Sequence, residues 1–334
     1  MTRACIFGAG AMGTVLGAYI ARSGRQIDLI TRNSRHVASL KSCGAHISGS
    51  VDFTVKVNAF LPEEMQGKYD VIFLMTKQRG NPQTVSFLKE YLADGGVICT
   101  TQNGLPEPSV AQIAGEDNCL GCAISWGATF VQSGEAALTS SPDKLTFALG
   151  SPFGDNPKTA LVVPYLECMG KVSVEKNFIG ARWSKLIVNG AFSSLSAVTG
   201  LTFGSIAQNH ESRKIVQRLL KEGMDVALKS GITPAKIQGH DIVKLLDYNN
   251  NIKKAISFAL IPLAMKKHKN LISGMYYDLK NGKLCDIDFV GGVVADYGKK
   301  CGVPTPYMDK VIELAHEIER GVRAVSPDNL TRFD

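Results

Sequence analysis

The stretch WSKLIVNGAF, residues 183–192, places an ammonium and a carboxamide four residues apart in a run that is otherwise apolar and helical in period. Lys185 and Asn189 therefore share a face, which Ser193 and Ser196 continue among Leu186, Ile187, Val188, Ala191, Phe192 and Leu195. Solvated helix faces are built from Glu, Lys, Arg and Gln. One cation among short uncharged donors suits the wall of a cleft instead, although a lone helical lysine is in general most often solvated. The chemistry open to such a lysine is proton donation. Hydride transfer to a ketone makes an alkoxide, which a positioned ammonium both stabilises and protonates. Partial desolvation brings lysine's proton affinity toward neutral pH, and a neighbouring carboxamide holds the oxygen without competing as an acid.

A hydride donor needs a place to bind, and CIFGAGAMG at residues 5–13 offers one. Gly8, Gly10 and Gly13 form GxGxxG, with Ala9, Ala11 and Met12 between them, after an apolar strand and at the start of a helix. The first glycine permits the tight turn, the second lets a pyrophosphate approach the backbone, and the third allows the helix to pack closely. An NAD site has an acidic residue about 20 residues further on. Here the second strand ends in Thr31-Arg32-Asn33-Ser34-Arg35, and cations and donors suit a 2′-phosphate that a carboxylate would repel. NADP(H) is therefore favoured over NAD(H), unless Arg32 merely faces solvent. Two more apolar strands deliver polar residues at their carboxyl ends, the ligand edge of an open α/β sheet: Thr76-Lys77-Gln78 and Gln102-Asn103-Gly104. Lys77 also reads as an ordinary residue at a loop start, and Asn103 as part of an Asn-Gly turn.

The elements that must position these groups change character near residue 176. Before it, RACIFGAG, QIDLITR, DVIFLMTK and GGVICTTQNG are short apolar runs suited to parallel strands covered on both faces, with helical stretches at 11–23 and 81–93 between them. Residues 118–149 show strand patterning around a QSGE turn, which predicts an antiparallel extension of the sheet. After residue 176 nearly everything has helical period, at 178–197, 211–230, 238–247, 252–266, 285–300 and 306–321. The expected fold is α/β: a Rossmann-like, doubly wound, mostly parallel sheet with an antiparallel extension over 1–176, then an all-helical domain over 177–334.

Composition agrees with an ordinary globular chain: 334 residues, 45% hydrophobic, 20% charged. The net charge of +7 comes from scattered Lys and Arg, which suits small anions and argues against a nucleic-acid partner, MKKHKN at 265–270 notwithstanding. No run reaches the roughly 20 apolar residues of a membrane span, and the N-terminus enters a strand directly, so a cytoplasmic protein with no membrane partner is expected. The eight cysteines lie mostly singly in apolar segments; Cys119 and Cys122 form the one tight pair, without the second pair or histidines that zinc requires, and no metal is expected. A homodimer is left open.

Taken together, GAGAMG, TKQ at 76–78, QNGL at 102–105, WSKLIVN at 183–189 and SGMYYDLKNGKLCDIDFVGG at 273–292 resemble the ketopantoate reductases (2-dehydropantoate 2-reductases) over nearly the whole chain. The resemblance implies NADPH-dependent reduction of ketopantoate to pantoate, on the way to pantothenate and coenzyme A, with the small 2-keto acid held between the two domains. It implies that Lys185 is the general acid, that Asn103 and Asn189 bind substrate, and that Arg32 and Lys77 hold the 2′-phosphate. Asp286 falls where the family carries a glutamate that receives a substrate hydroxyl or orients the lysine; it reads equally as a carboxylate favoured at a helix N-terminus. Three departures stand on the substrate side. Gly274 replaces a serine, with Ser273 beside it as the substitute; Ser193 replaces an asparagine; and Asp286 shortens the glutamate. The reading that competes within the fold is a reductase of another branched 2-oxo or imino acid, and the one outside catalysis is an NADP(H) sensor.

Overall fold

The computed structural model describes residues 2–237 and 239–333. The chain up to Gln102 together with Pro106–Phe178 forms one compact unit; Asn103–Leu105 with the chain from Ile179 onward forms the other.

The first unit runs β1 (Ala4–Phe7), α1 (Ala11–Arg22), β2 (Asp28–Ile30), α2 (Ser34–Cys43), β3 (Ala45–Gly49), β4 (Phe53–Val55), β5 (Asn58–Phe60), β6 (Tyr69–Leu74), α3 (Asn81–Lys89), β7 (Leu92–Thr100), α4 (Glu107–Ala114), β8 (Cys119–Ile124), β9 (Ala128–Gln132), β10 (Glu135–Leu138), β11 (Thr146–Gly150), α5 (Thr159–Leu166) and β12 (Lys171–Val174). Among the described residues, eight of these strands form one sheet in the order β12-β11-β8-β7-β6-β1-β2-β5. The pairings from β8 through β5 are all parallel, whereas β11 runs antiparallel to β8 and carries β12 parallel beside it.

Both faces of this sheet are buried, which is why its strands read as continuous apolar runs. Ile6, Val71, Phe73, Val97 and Cys122 enter the core on one face. Cys5, Ile72, Leu74, Ile98 and Cys119 enter the core on the other. Cys119 and Cys122, three apart on β8, point to opposite faces and cannot share a ligand.

The segment around QSGE departs from expectation. β9 and β10 form the expected hairpin, but it leaves the main sheet. β10 pairs in parallel with β3 to build a second, four-stranded sheet, β4-β3-β10-β9, whose buried side packs on α1. The extension of the main sheet is made by β11 and β12 instead. Alternating burial looks the same for either sheet, so only the distant partner β3 decides it.

The second unit is helical. It begins with α6 (Phe178–Val188), a π-helical turn (Asn189–Ser193) and α7 (Ser194–Thr199), followed by α8 (Phe203–Gln208), α9 (His210–Lys229), α10 (Ile242–Leu246), α11 (Asn251–Met265), α12 (Gly274–Lys280), α13 (Ile287–Cys301) and α14 (Pro306–Glu319). Its core is continuous, from Trp183 and Phe192 through Leu219, Val294 and Leu314. The helix expected at 238–247 is shorter. It starts only after Asp241, whose side chain accepts the Lys244 N–H and caps it; Gln238 lies outside the described residues. No described helix is long and apolar enough to cross a membrane.

Candidate active site

The glycine-rich turn between β1 and α1 is held by the backbone. The N–H groups of Gly8 and Ala9 both donate to Ile30 O at 2.9 Å, and Gly10 N–H donates back to Gly8 O at 2.8 Å. Gly8 has φ 110°, and a Cβ there would lie 2.7 Å from Met75 C and Thr76 N. At Gly13 a Cβ would meet Gly8 O at 2.5 Å, which is the close approach of helix to turn. Gly10 differs, because a Cβ there meets nothing within 4 Å. Beside that open space, among the described residues, no side chain caps the first turn of α1 and no acidic residue stands in it. The N–H groups of Ala11, Met12 and Gly13 make a helix N-terminus with positive potential and room for a phosphate, so the loop fits a dinucleotide pyrophosphate.

Arg32, Asn33, Ser34 and Arg35 follow β2 and are exposed, and Asn33 caps α2 by accepting the His36 N–H at 3.1 Å. Lys77 is exposed at the carboxyl end of β6, and Asn103 at that of β7, where Gly104 takes φ 83°. A buried amide pair fixes these two strand ends to each other. Asn81 Nδ2 donates to Gln102 Oε1 at 3.1 Å, and Gln102 Nε2 donates to Asn81 Oδ1 at 2.7 Å and to Thr76 O at 2.8 Å. Thr100 Oγ1 also donates to Gln102 Oε1, at 2.9 Å. Gln102 thus binds the two loops together, while Asn103 turns outward beside it.

In the second unit the Lys185 helix carries one unusual feature. In the described stretch from Arg182 to Thr199, only Lys185, Val188, Asn189 and Ser193 are half-exposed; every other residue is buried. Lys185 lies in α6, and Asn189 and Ser193 open and close the π turn. A π turn inserts one extra residue into the helix, and such turns occur often at functional sites. The insertion keeps Ser193 in line with Lys185 and Asn189 and rotates the residues of α7 relative to them. Ser196, expected on the same face, is turned into the core, where its hydroxyl donates to Leu201 O at 2.7 Å and accepts Ser273 N–H at 3.1 Å. Gly190 permits the turn to pack, since a Cβ there would already lie 3.2 Å from Met308 Cε.

Ser273 is itself buried and caps α12, its hydroxyl accepting Met275 N–H at 3.2 Å. That bond positions the helix. Neighbouring Gly274 is exposed, with open space at its Cβ. Asp286 is half-buried at the N-cap position of α13, but its carboxylate makes no capping hydrogen bond. The thiol beside it, Cys285, is pushed by burial up to about 12 and stays protonated at neutral pH. Among the described residues, no group of His, Cys, Asp or Glu is arranged to hold a metal ion.

Residues 4–151 match the family model for ketopantoate reductase PanE/ApbA, and residues 177–319 match that for its C-terminal part. The chain belongs to the ketopantoate reductase family. Among curated members, a 2-dehydropantoate 2-reductase of Streptococcus pyogenes is 25% identical over 94% of this chain and 97% of its own length. One from Pyrococcus horikoshii is 26% identical over 90% of this chain and 92% of its own. Among solved structures, a PanE/ApbA family ketopantoate reductase from Ralstonia eutropha superposes with a TM-score of 0.80 at 23% identity, covering 96% of this chain and 99% of that one. A D-mandelate dehydrogenase held with NADH and anilino(oxo)acetate superposes with a TM-score of 0.81 at 22% identity, covering 97% and 100%. Family membership makes the protein an oxidoreductase.

Two features here escape sequence reasoning. Asn81 reads as the start of α3 and turns out to be 1% exposed and bonded to Gln102; the signal available was its place just after a strand-end loop. Arg182, next to the quoted run, is 1% exposed, a buried guanidinium that sequence reasoning does not single out.

Proposed function

We propose that the protein reduces 2-dehydropantoate to pantoate with NADPH. The observation that carries this reading is the half-exposed stripe of Lys185, Asn189 and Ser193 in an otherwise buried helix. A lysine there is half-exposed between buried neighbours, and an ammonium so placed serves as a proton donor.

In this reading the turn at Gly8–Gly13 holds the pyrophosphate on backbone N–H groups, and Arg32 and Lys77 hold the 2′-phosphate by charge-assisted hydrogen bonds. A nicotinamide bound there would supply the hydride that reduces the ketone. Lys185 donates its proton to the carbonyl oxygen as the C=O π bond breaks, so the ketone becomes an alcohol and the lysine recovers its proton from solvent. Asn103 and Asn189 hold the oxygen and the carboxylate as hydrogen-bond donors, Ser193 adds a shorter polar contact, and Asp286 accepts a substrate hydroxyl. Ser273 acts through α12, which it caps.

Initial rates of NADPH oxidation test this, with ketopantoate compared against a panel of branched 2-oxo and imino acids. Lys185→Ala is expected to lower kcat by about 10²–10⁴-fold with NADPH affinity retained. Retained turnover in that variant would remove lysine from the mechanism. A second reading, reduction of a different 2-oxo acid, is favoured by the three substrate-side departures at Gly274, Ser193 and Asp286, and a higher kcat/KM on another acid would establish it. NADPH binding without turnover on any acid in the panel would favour the sensor.

A further inference from the structure

His36 lies in the first turn of α2, 1% exposed, and its imidazole joins three separate elements. The backbone N–H of Gly134, in the β9–β10 turn, donates to Nδ1 at 2.9 Å. Nδ1 is therefore an acceptor without a proton, and in the neutral ring Nε2 carries the hydrogen. That nitrogen lies 2.9 Å from Thr14 Oγ1, on α1, so the ring donates to the threonine. Thr14, fully buried, in turn directs its hydroxyl at Ala9 O, 3.4 Å away inside the glycine-rich turn. Burial pulls the imidazole below its ordinary pKa, and the edge of Phe130 closes over it with ring centroids 5.1 Å apart.

The same residue is tied to the second anion-binding segment through its backbone. His36 N–H donates to Asn33 Oδ1 at 3.1 Å, and Asn33 directly follows Arg32. One residue thus connects the turn proposed for the pyrophosphate, through its imidazole and Thr14, to the segment that carries the arginine, through its backbone N–H. We infer that His36 is a positioning residue that sets the spacing between the glycine-rich turn and the Arg32–Asn33 segment, and so sets the preference between 2′-phosphorylated and unphosphorylated nicotinamide dinucleotides. This rests on the NADP(H) reading of Arg32. An apolar residue at 36 would leave the Gly134 N–H and the Thr14 hydroxyl without their partner. Glutamine would supply an acceptor and a donor at nearly the same separation as the two ring nitrogens.

The test compares wild type, His36→Leu, His36→Gln and Thr14→Val by equilibrium binding of NADPH and of NADH, with thermal unfolding and kcat at saturating NADPH measured alongside. His36→Leu is expected to lower the NADPH-over-NADH preference at least fivefold, with kcat at saturation within twofold of wild type, and His36→Gln to restore most of the preference. Thr14→Val is expected to lower the preference in the same direction. It decides the question if His36→Leu does not fold. A preference unchanged in these variants, a loss equal for both dinucleotides, or a glutamine variant no better than leucine would overturn the inference. Wild type without any NADPH preference would overturn the parent reading of Arg32 and this inference with it, whereas a wild-type preference kept by every variant removes the inference alone.

Discussion

The three glycines of the turn make different demands, and substituting alanine separates a fold requirement from a binding requirement. Gly10 has φ −83°, open to any residue, and its Cβ would meet nothing within 4 Å. Alanine there loses some helix N-cap preference and gains about 0.4–1 kcal/mol by restricting the unfolded chain, so the net change in stability stays within about 1 kcal/mol. Gly8 has φ 110°, and its Cβ would sit 2.7 Å from two backbone atoms of the β6 end. The left-handed conformation costs alanine roughly 1–2 kcal/mol, and moving backbone to relieve the overlap adds about 1–3 kcal/mol more. Differential scanning calorimetry and NADPH titration together give the answer. Gly10→Ala is expected to unfold within about 4 °C of wild type. Its dinucleotide affinity should fall at least tenfold, about 1.4 kcal/mol, because the methyl group occupies the space a pyrophosphate needs. Gly8→Ala is expected to lose stability first and affinity as a consequence. Wild-type affinity in a well-folded Gly10→Ala protein would refute the assignment of this turn as the phosphate site.

Arg32→Ala is expected to weaken NADPH at least tenfold and NADH less than threefold, measured by fluorescence titration; equal losses would mean that Arg32 does not read the 2′-phosphate. Gln102→Leu removes the partner of Asn81 and of Thr76 O. Urea denaturation should show a loss of about 1–3 kcal/mol, the cost of buried polar groups left without partners. Glu222 is buried on α9 and accepts the Tyr307 and Met308 N–H groups at the start of α14, at 2.9 and 2.8 Å, and burial is the main cause that lifts its pKa to about 7. A carboxyl whose folded value lies above its unfolded value of about 4.3 adds stability that is full below pH 4.3 or so and is lost as pH rises through the folded value. The span is on the order of 3 kcal/mol between about pH 4 and pH 8. The difference in Tm between wild type and the non-titrating Glu222→Gln is therefore expected to shift against wild type as pH rises from 5 to 8. A difference independent of pH would contradict the shift.

The parallel strands are legible because each is buried on both faces. Ile72 and Phe73 enter opposite cores from adjacent positions, and nothing but an unbroken apolar run satisfies that. The hairpin at β9 and β10 is also legible, because Gly134 in its turn takes φ 85°. What the sequence withholds is its partner. β10 pairs with β3, where His46 stands opposite Glu135, and no local pattern records a register that far along the chain. His36 shows the same limit at the level of one side chain. Its sequence neighbours make it an unremarkable helical histidine, and its meaning arises only when Gly134 and Thr14 reach it through tertiary structure.

The lysine helix shows where chemistry and specificity part. Spacing alone identifies Lys185 and Asn189 as sharing a face, because four residues in an α-helix complete about one turn. It fails one turn later, since an i→i+5 turn leaves no periodic signature and the 3.6-residue rule assigns Ser196 to a face it does not occupy. The physical consequence reaches beyond that residue. Lys185 is flanked by fully buried Ser184, Leu186 and Ile187, so its placement is fixed by the core and a change nearby disturbs folding. The departures at Ser193, Gly274 and Asp286 stand at half-buried or exposed positions, and substitution there leaves the core intact. Side chains at these three positions can therefore vary while the core keeps Lys185 in place.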